Sequence, residues 1–182
     1  MLSTRIVILV IAGAIVATIA AASAQSPDFS GTWVAEVPPS PPPPAGTPPP
    51  PPRGNMGSGW GSTITITHVA NQLVVEQPIF SRYDLQPPLK LVYRLDGSES
   101  RNTVMAGHQT QTRVSRAAWD GQTARIVTIY PGIDPDSGKP FSTEVTQHLS
   151  LAAPGRLIIE TLRHGVLGGR DITTRIVYTR AP

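Results

Sequence analysis

The stretch Asp28-Phe29-Ser30-Gly31-Thr32-Trp33-Val34-Ala35-Glu36-Val37 reads as the first strand of a closed β-barrel, and the rest of the chain is organised around it. Upstream, Arg5 precedes an uncharged apolar run from Ile6 to Ala20, and Ala22-Ser23-Ala24 supplies small residues at cleavage positions. Residues 1–24 are therefore expected to be an export signal and residues 25–182 a single domain, secreted or periplasmic. The alternative is an uncleaved anchor, because the run approaches the minimum spanning length of about 17 residues. The small-x-small site and the polar stretch after it favour cleavage, which leaves no stable membrane anchor. No Cys follows the run, which excludes lipid attachment of the bacterial lipoprotein kind.

Composition narrows the chemistry. There are no cysteines, so disulfides, thiolate catalysis and Cys-ligated zinc are ruled out. The formal net charge of +3 comes from scattered basic residues rather than a patch, and nucleic acid is not an expected partner. More than half of the 20 prolines fall between Pro38 and Arg53. Such a run lacks backbone donors and favours an extended polyproline II path. Together with the Gly-rich stretch to Gly61 it reads as a disordered loop, 38–61, inserted after the first strand. Its functional reading is an arm that contacts a protein partner; the plainer reading is a solvated spacer in a surface loop.

From Ser62 onward the pattern has period two, punctuated by turns, and nothing sustains a helical period. Ile64, Ile66 and His68 share one face, as do Leu89, Leu91, Tyr93 and Leu95, and later Val145, Leu149 and Leu151. About ten strands result, with expected boundaries that include Arg101 to Ala106 for the fifth. The fold class is all-β: an antiparallel up-and-down barrel. The turns after strands two, four, six and eight are short, at Ala70-Asn71, Asp96-Gly97, Asp120-Gly121 and Pro154-Gly155. Those after strands one, three, seven and nine are long; Gly107-His108, after strand five, is the exception. In a meander, alternate connections lie at one end, so the tight turns make a closed floor and the long loops a mouth.

These residues also carry a resemblance. Gly31-Thr32-Trp33 is similar to the Gly-x-Trp of the lipocalin and fatty-acid-binding (calycin) superfamily. The resemblance implies that Trp33 lies near the floor against a basic residue of the last strand, and Arg180 fits that partner. More closely, the chain resembles uncharacterised exported bacterial lipocalin-like proteins, through Asp28 to Trp33, Tyr93 to Gly97, Trp119 to Gly121 and Val177-Tyr178. It implies a lipocalin-like fold and brings no activity with it.

The strand Gln109 to Ala118 is polar on both faces, with Gln111 and Arg113 on one and Thr112 and Arg116 on the other. Either way a guanidinium sits in or near the barrel, and a buried one must be paired or hydrated. The sharp reading is a polar or carboxylate-bearing ligand with Arg113 as counter-ion beneath Tyr93 and Tyr130, and with Phe80 and Tyr83 of a mouth loop beside it. The bland reading is an Arg113 solvated at an open or side-chain-filled barrel. The four histidines have no metal-type spacing, and no metal or other cofactor is expected. A haem ligand at His164 is a third reading, weakened because Ala35 and Val37 stand where haem barrels of the nitrobindin type have glycines. Asp134-Pro135-Asp136-Ser137-Gly138 is turn chemistry. No nucleophile elbow or phosphate loop is present, so an enzyme is not expected. The expected function is binding of a small, partly apolar or amphipathic molecule at the long-loop end. The alternative is a cell-envelope interaction module using the Pro-rich arm and mouth loops.

Overall fold

A computed structural model describes residues 26–36, 59–79, 87–106, 109–134, 136–165 and 169–182. Ten strands follow one another: β1 (Gly31–Ala35), β2 (Thr63–Val69), β3 (Gln72–Gln77), β4 (Leu89–Arg94), β5 (Asp96–Ala106), β6 (Gln109–Asp120), β7 (Thr123–Ile133), β8 (Pro140–Ala153), β9 (Arg156–Arg163) and β10 (Ile172–Arg180). They form one antiparallel sheet in the order β4-β3-β2-β1-β10-β9-β8-β7-β6-β5. The first and last strands pair through Trp33–Arg180, Val34–Thr179 and Ala35–Tyr178. The fold is an all-β, nearly closed up-and-down barrel. The expected signal, residues 1–24, and the Pro-rich segment lie outside the described residues.

The period-two pattern translates directly into burial, because successive side chains on a strand point to opposite faces. Ile64 and Ile66 of β2, Leu73 and Val75 of β3, Leu91 and Tyr93 of β4, and Leu157 and Ile159 of β9 all face inward and are buried. The half of the wall from β1 to β4 is apolar inside. The half from β5 to β9 adds a polar set: Ser100, Asn102, Ser115, Thr128, Gln147 and Thr161 are all buried. Ser115 Oγ and Thr128 Oγ1 satisfy one another at 2.9 Å.

Two places break the ladder. No backbone pairing joins β4 to β5 among the described residues; side chains bridge them instead. Asn102 accepts from the Val92 amide at 2.8 Å and donates to the Val92 carbonyl at 3.0 Å, and Ser100 Oγ accepts from the Arg94 amide at 3.0 Å. The side-chain amide thus stands in for a missing peptide group. Here the structure corrects the Asp96-Gly97 hairpin and the expected start of strand five. Leu95 makes the turn, and Asp96 already pairs with Ala118 in β5. Gly97, at φ 83°, falls in a bulge between Asp96 and Glu99, the left-handed conformation that Gly adopts without a Cβ penalty.

The second break is at the mouth. The β6–β7 ladder runs from Asp120–Thr123 to Val114–Ile129 and stops, although both strands continue. Pro131 explains it. Its carbonyl accepts a bond from the Gln111 side chain, so this edge of Pro131 faces β6. The amide that would have extended the ladder on that edge does not exist.

Candidate functional site

The two ends differ in construction. At the floor, the Trp33 indole donates to the Phe29 carbonyl at 2.9 Å and is fully buried. Arg180 Cζ lies 4.8 Å from the Trp33 ring centroid. Gly31 makes that contact possible: a Cβ there would stand 3.4 Å from Arg180 Cζ, and its φ of 138° disfavours any side chain. Phe29 stacks on Trp119 at 5.7 Å, and His68 packs against both at 5.9 and 5.7 Å. Asp28 beside them is held below the usual carboxylate range, chiefly by the Ser30 side-chain hydrogen bond.

At the mouth, a cavity of about 420 Å³ is lined by Gly59, Gly61, Arg113, Tyr130, Thr143, Val145 and Arg163. It lies beside the β6–β7 split. Arg113 faces inward, with Cζ 4.3 Å from the Tyr130 ring centroid. Its Nε is buried and has no hydrogen-bond partner among the described residues. Three other inward-facing residues, Gln77 near the mouth end of β3, Thr161 of β9 and His68 at the floor, also hold buried polar atoms without partners among the described residues. Arg163 reaches the same cavity from the end of β9.

Tyr93 is buried on β4, its ring 5.9 Å from that of Trp60. Burial pushes its hydroxyl well above the ordinary tyrosine value, and Tyr130 adds to this; a Trp60 hydrogen bond and Arg113 act the other way. Trp60 corrects the sequence reading. Composition assigns it to a flexible loop, yet it is 1% exposed and belongs to the core. Gly59 and Gly61, at φ 76° and 84°, turn the chain inward on either side of it, and the Tyr178 hydroxyl holds the Gly61 carbonyl at 2.7 Å. Phe80 and Tyr83 lie outside the described residues, as does His108. Arg116 faces outward, 3.6 Å from Glu99.

His164 is already engaged. Its Nδ1 is 3.0 Å from Asp171 Oδ2 and its Nε2 3.9 Å from Glu144 Oε1. Among the described residues no three acidic or imidazole groups form a metal-binding cluster. A larger hollow, about 590 Å³, lies outside the barrel over β6–β8 between Arg116, Arg125, Val127, Ile129 and Glu144. Size favours that hollow, but chemistry favours the mouth: Arg116 and Glu144 already have oppositely charged neighbours, whereas Arg113 has no acidic one among the described residues.

Sequence reasoning grouped Tyr93, Arg113 and Tyr130 as a candidate site while leaving open whether Arg113 or Arg116 faces inward; Arg113 does, and the three stand within electrostatic reach of one another. It missed Trp60, Trp119 and Arg163. For Arg163 a signal existed, since Leu157, Ile159, Thr161 and Arg163 alternate on one face. No known family model matches the sequence, and no curated protein is similar to it.

Proposed function

We propose that this is an exported lipocalin-like barrel that binds a small amphipathic molecule at the long-loop end, with an acidic head on Arg113 and an apolar body against Tyr130 and Val145. One observation carries the reading: the guanidinium of Arg113 lines an open cavity with its Nε buried and unpartnered. A buried donor left unsatisfied costs about 1–3 kcal/mol, and an anion would remove that cost while gaining a charge-assisted bond. The volume suits a small ligand. The packed lumen behind it, closed by Trp60 and Tyr93, argues for a shallow seat rather than a deep one.

Calorimetric titration with decanoate and decanol tests this. Decanoate binds more tightly than decanol, and Arg113→Gln abolishes the difference. Failure of the unaltered protein to bind decanoate, or full retention of the difference in Arg113→Gln, contradicts the reading.

The second reading, contact with a partner through the mouth loops, draws on a different observation. Ile79, Met105, Ile133 and Ile172, all exposed, lie at mouth ends of four strands. A partner whose binding is unaffected by Arg113→Gln but lost when Ile133 and Ile172 become Ser would favour it.

A further inference from the structure

We propose that the acidic head is a dianion of the phosphate-monoester class, gripped by Arg113 and Arg163 together. The proposal rests on the reading that the mouth holds an amphipathic anion, and adds which anion it is. Both arginines line one cavity, Arg113 from β6 and Arg163 from β9. Among the other described arginines, Arg101 and Arg116 meet Glu99, Arg156 meets Glu36 and Arg175 meets Glu160, while Arg94, Arg125, Arg170 and Arg180 stand outside any such pair. Neither Arg113 nor Arg163 has an acidic partner among the described residues. Two cations sharing a partly dry hollow repel one another, and a monocarboxylate would neutralise only one.

The donor count points the same way. Arg113 and Arg163 enter from opposite sides of the cavity, on β6 and β9, with Tyr130, Thr143 and Val145 also lining it. Arg113 offers its free Nε, and a guanidinium fork matches two oxygens of a phosphate. Two guanidinium forks suit the three non-ester oxygens of a phosphate monoester better than the two of a carboxylate. A phosphate monoester carries close to two charges above its second pKa, about 6. Tyr130 and Val145 supply the apolar side of the cavity for the esterified chain.

Titration at pH 8 with octyl phosphate and octanoate tests the proposal. Octyl phosphate binds about tenfold tighter, the gain from one more charge-assisted contact. Arg163→Gln brings the two affinities together while leaving octanoate nearly unchanged, and Arg113→Gln weakens both. At pH 5, where the phosphate is a monoanion, the preference shrinks. Equal affinities at pH 8, or a preference untouched by Arg163→Gln, overturn the dianion while the amphipathic-anion reading stands. Binding of neither probe overturns both. Two further arms separate the sources. Octyl phosphate binding more tightly than inorganic phosphate supports an esterified ligand, and equal binding of the two overturns the ester. Co-sedimentation with vesicles of equimolar phosphatidic acid and phosphatidylcholine, lost in Arg163→Gln, supports a lipid source. Retention of octyl phosphate without co-sedimentation supports a soluble one.

Discussion

The barrel carries a cation over an aromatic ring at each end, and the two pairs sit in opposite surroundings. Arg180 lies over Trp33 at 4.8 Å and Arg113 over Tyr130 at 4.3 Å. At the floor the pair is backed by regular backbone: Arg180 pairs with Trp33 across the β1–β10 ladder, and its amide donates to the Gly155 carbonyl. At the mouth the ladder has already stopped, a cavity opens, and Arg113 keeps a donor in hand. The same contact therefore closes one end and equips the other. Arg180 lies over its ring beside a continuous ladder, whereas Arg113 lies beside a cavity with a buried Nε that has no partner among the described residues.

The comparison can be broken at its strongest point first. Trp33→Ala should destabilise the protein by about 3–5 kcal/mol in denaturant unfolding, as expected for a fully buried Trp. Decanoate binding should persist wherever the variant is folded. If the variant stays stable and loses binding selectively, the ends have been assigned the wrong way round.

Next in size is the seam between β4 and β5. Asn102→Ala leaves the Val92 amide and carbonyl without their partner, at about 1–3 kcal/mol. Hydrogen exchange at the Val92 amide should accelerate far more than at amides of the β8–β9 ladder. Uniform acceleration would mean that the seam is not a local weak point.

The two arginines give the sharpest contrast at smaller magnitude. Arg180→Gln should cost about 1 kcal/mol, the value of a partly desolvated cation–π pair. Arg113→Gln loses a similar contact but also removes an unsatisfied buried donor, so its stability should lie within about 0.5 kcal/mol of the unaltered protein. Equal losses at both sites would remove the distinction between a closing pair and an available one.

The smallest effect is a pH dependence in the loop between β9 and β10. Asp171 is held below its ordinary 3.8, first by the Gly165 amide and then by His164. A lowered folded-state value means that its stabilisation is full above the ordinary carboxylate range and is lost as pH falls through the lowered one. The Gly165 amide resonance should therefore show an acid-side titration with its midpoint below 3.8. A midpoint above 3.8 would contradict the cause assigned.

Much of this architecture could be read from the chain, because period-two alternation and turn spacing are local signals. Ile64, Ile66 and Tyr93 announce their shared apolar faces by position alone, whereas β6 is polar on both faces and leaves Arg113 and Arg116 equal candidates. The rest depends on contacts that composition hides. Trp60 sits among glycines that suggest a loose loop, yet the barrel offers its ring a dry seat and the flanking glycines let the backbone reach it. Asp96-Gly97 has the residues of a hairpin turn, but pairing with β6 absorbs them into a bulge. The end of the β6–β7 ladder follows from Pro131, whose effect depends on which edge of the strand it faces. Arg163 is readable by alternation, but its place beside Arg113 depends on β9 and β6 bordering one cavity.

The most direct test of the central claim is a map of backbone amide shifts on adding decanoate to isotopically labelled protein. The account predicts shifts at Gly59–Gly61, Arg113, Tyr130, Thr143 and Arg163, with Phe29, Trp33, Trp119 and Arg180 unmoved. Shifts concentrated at Trp33 and Trp119 would contradict it.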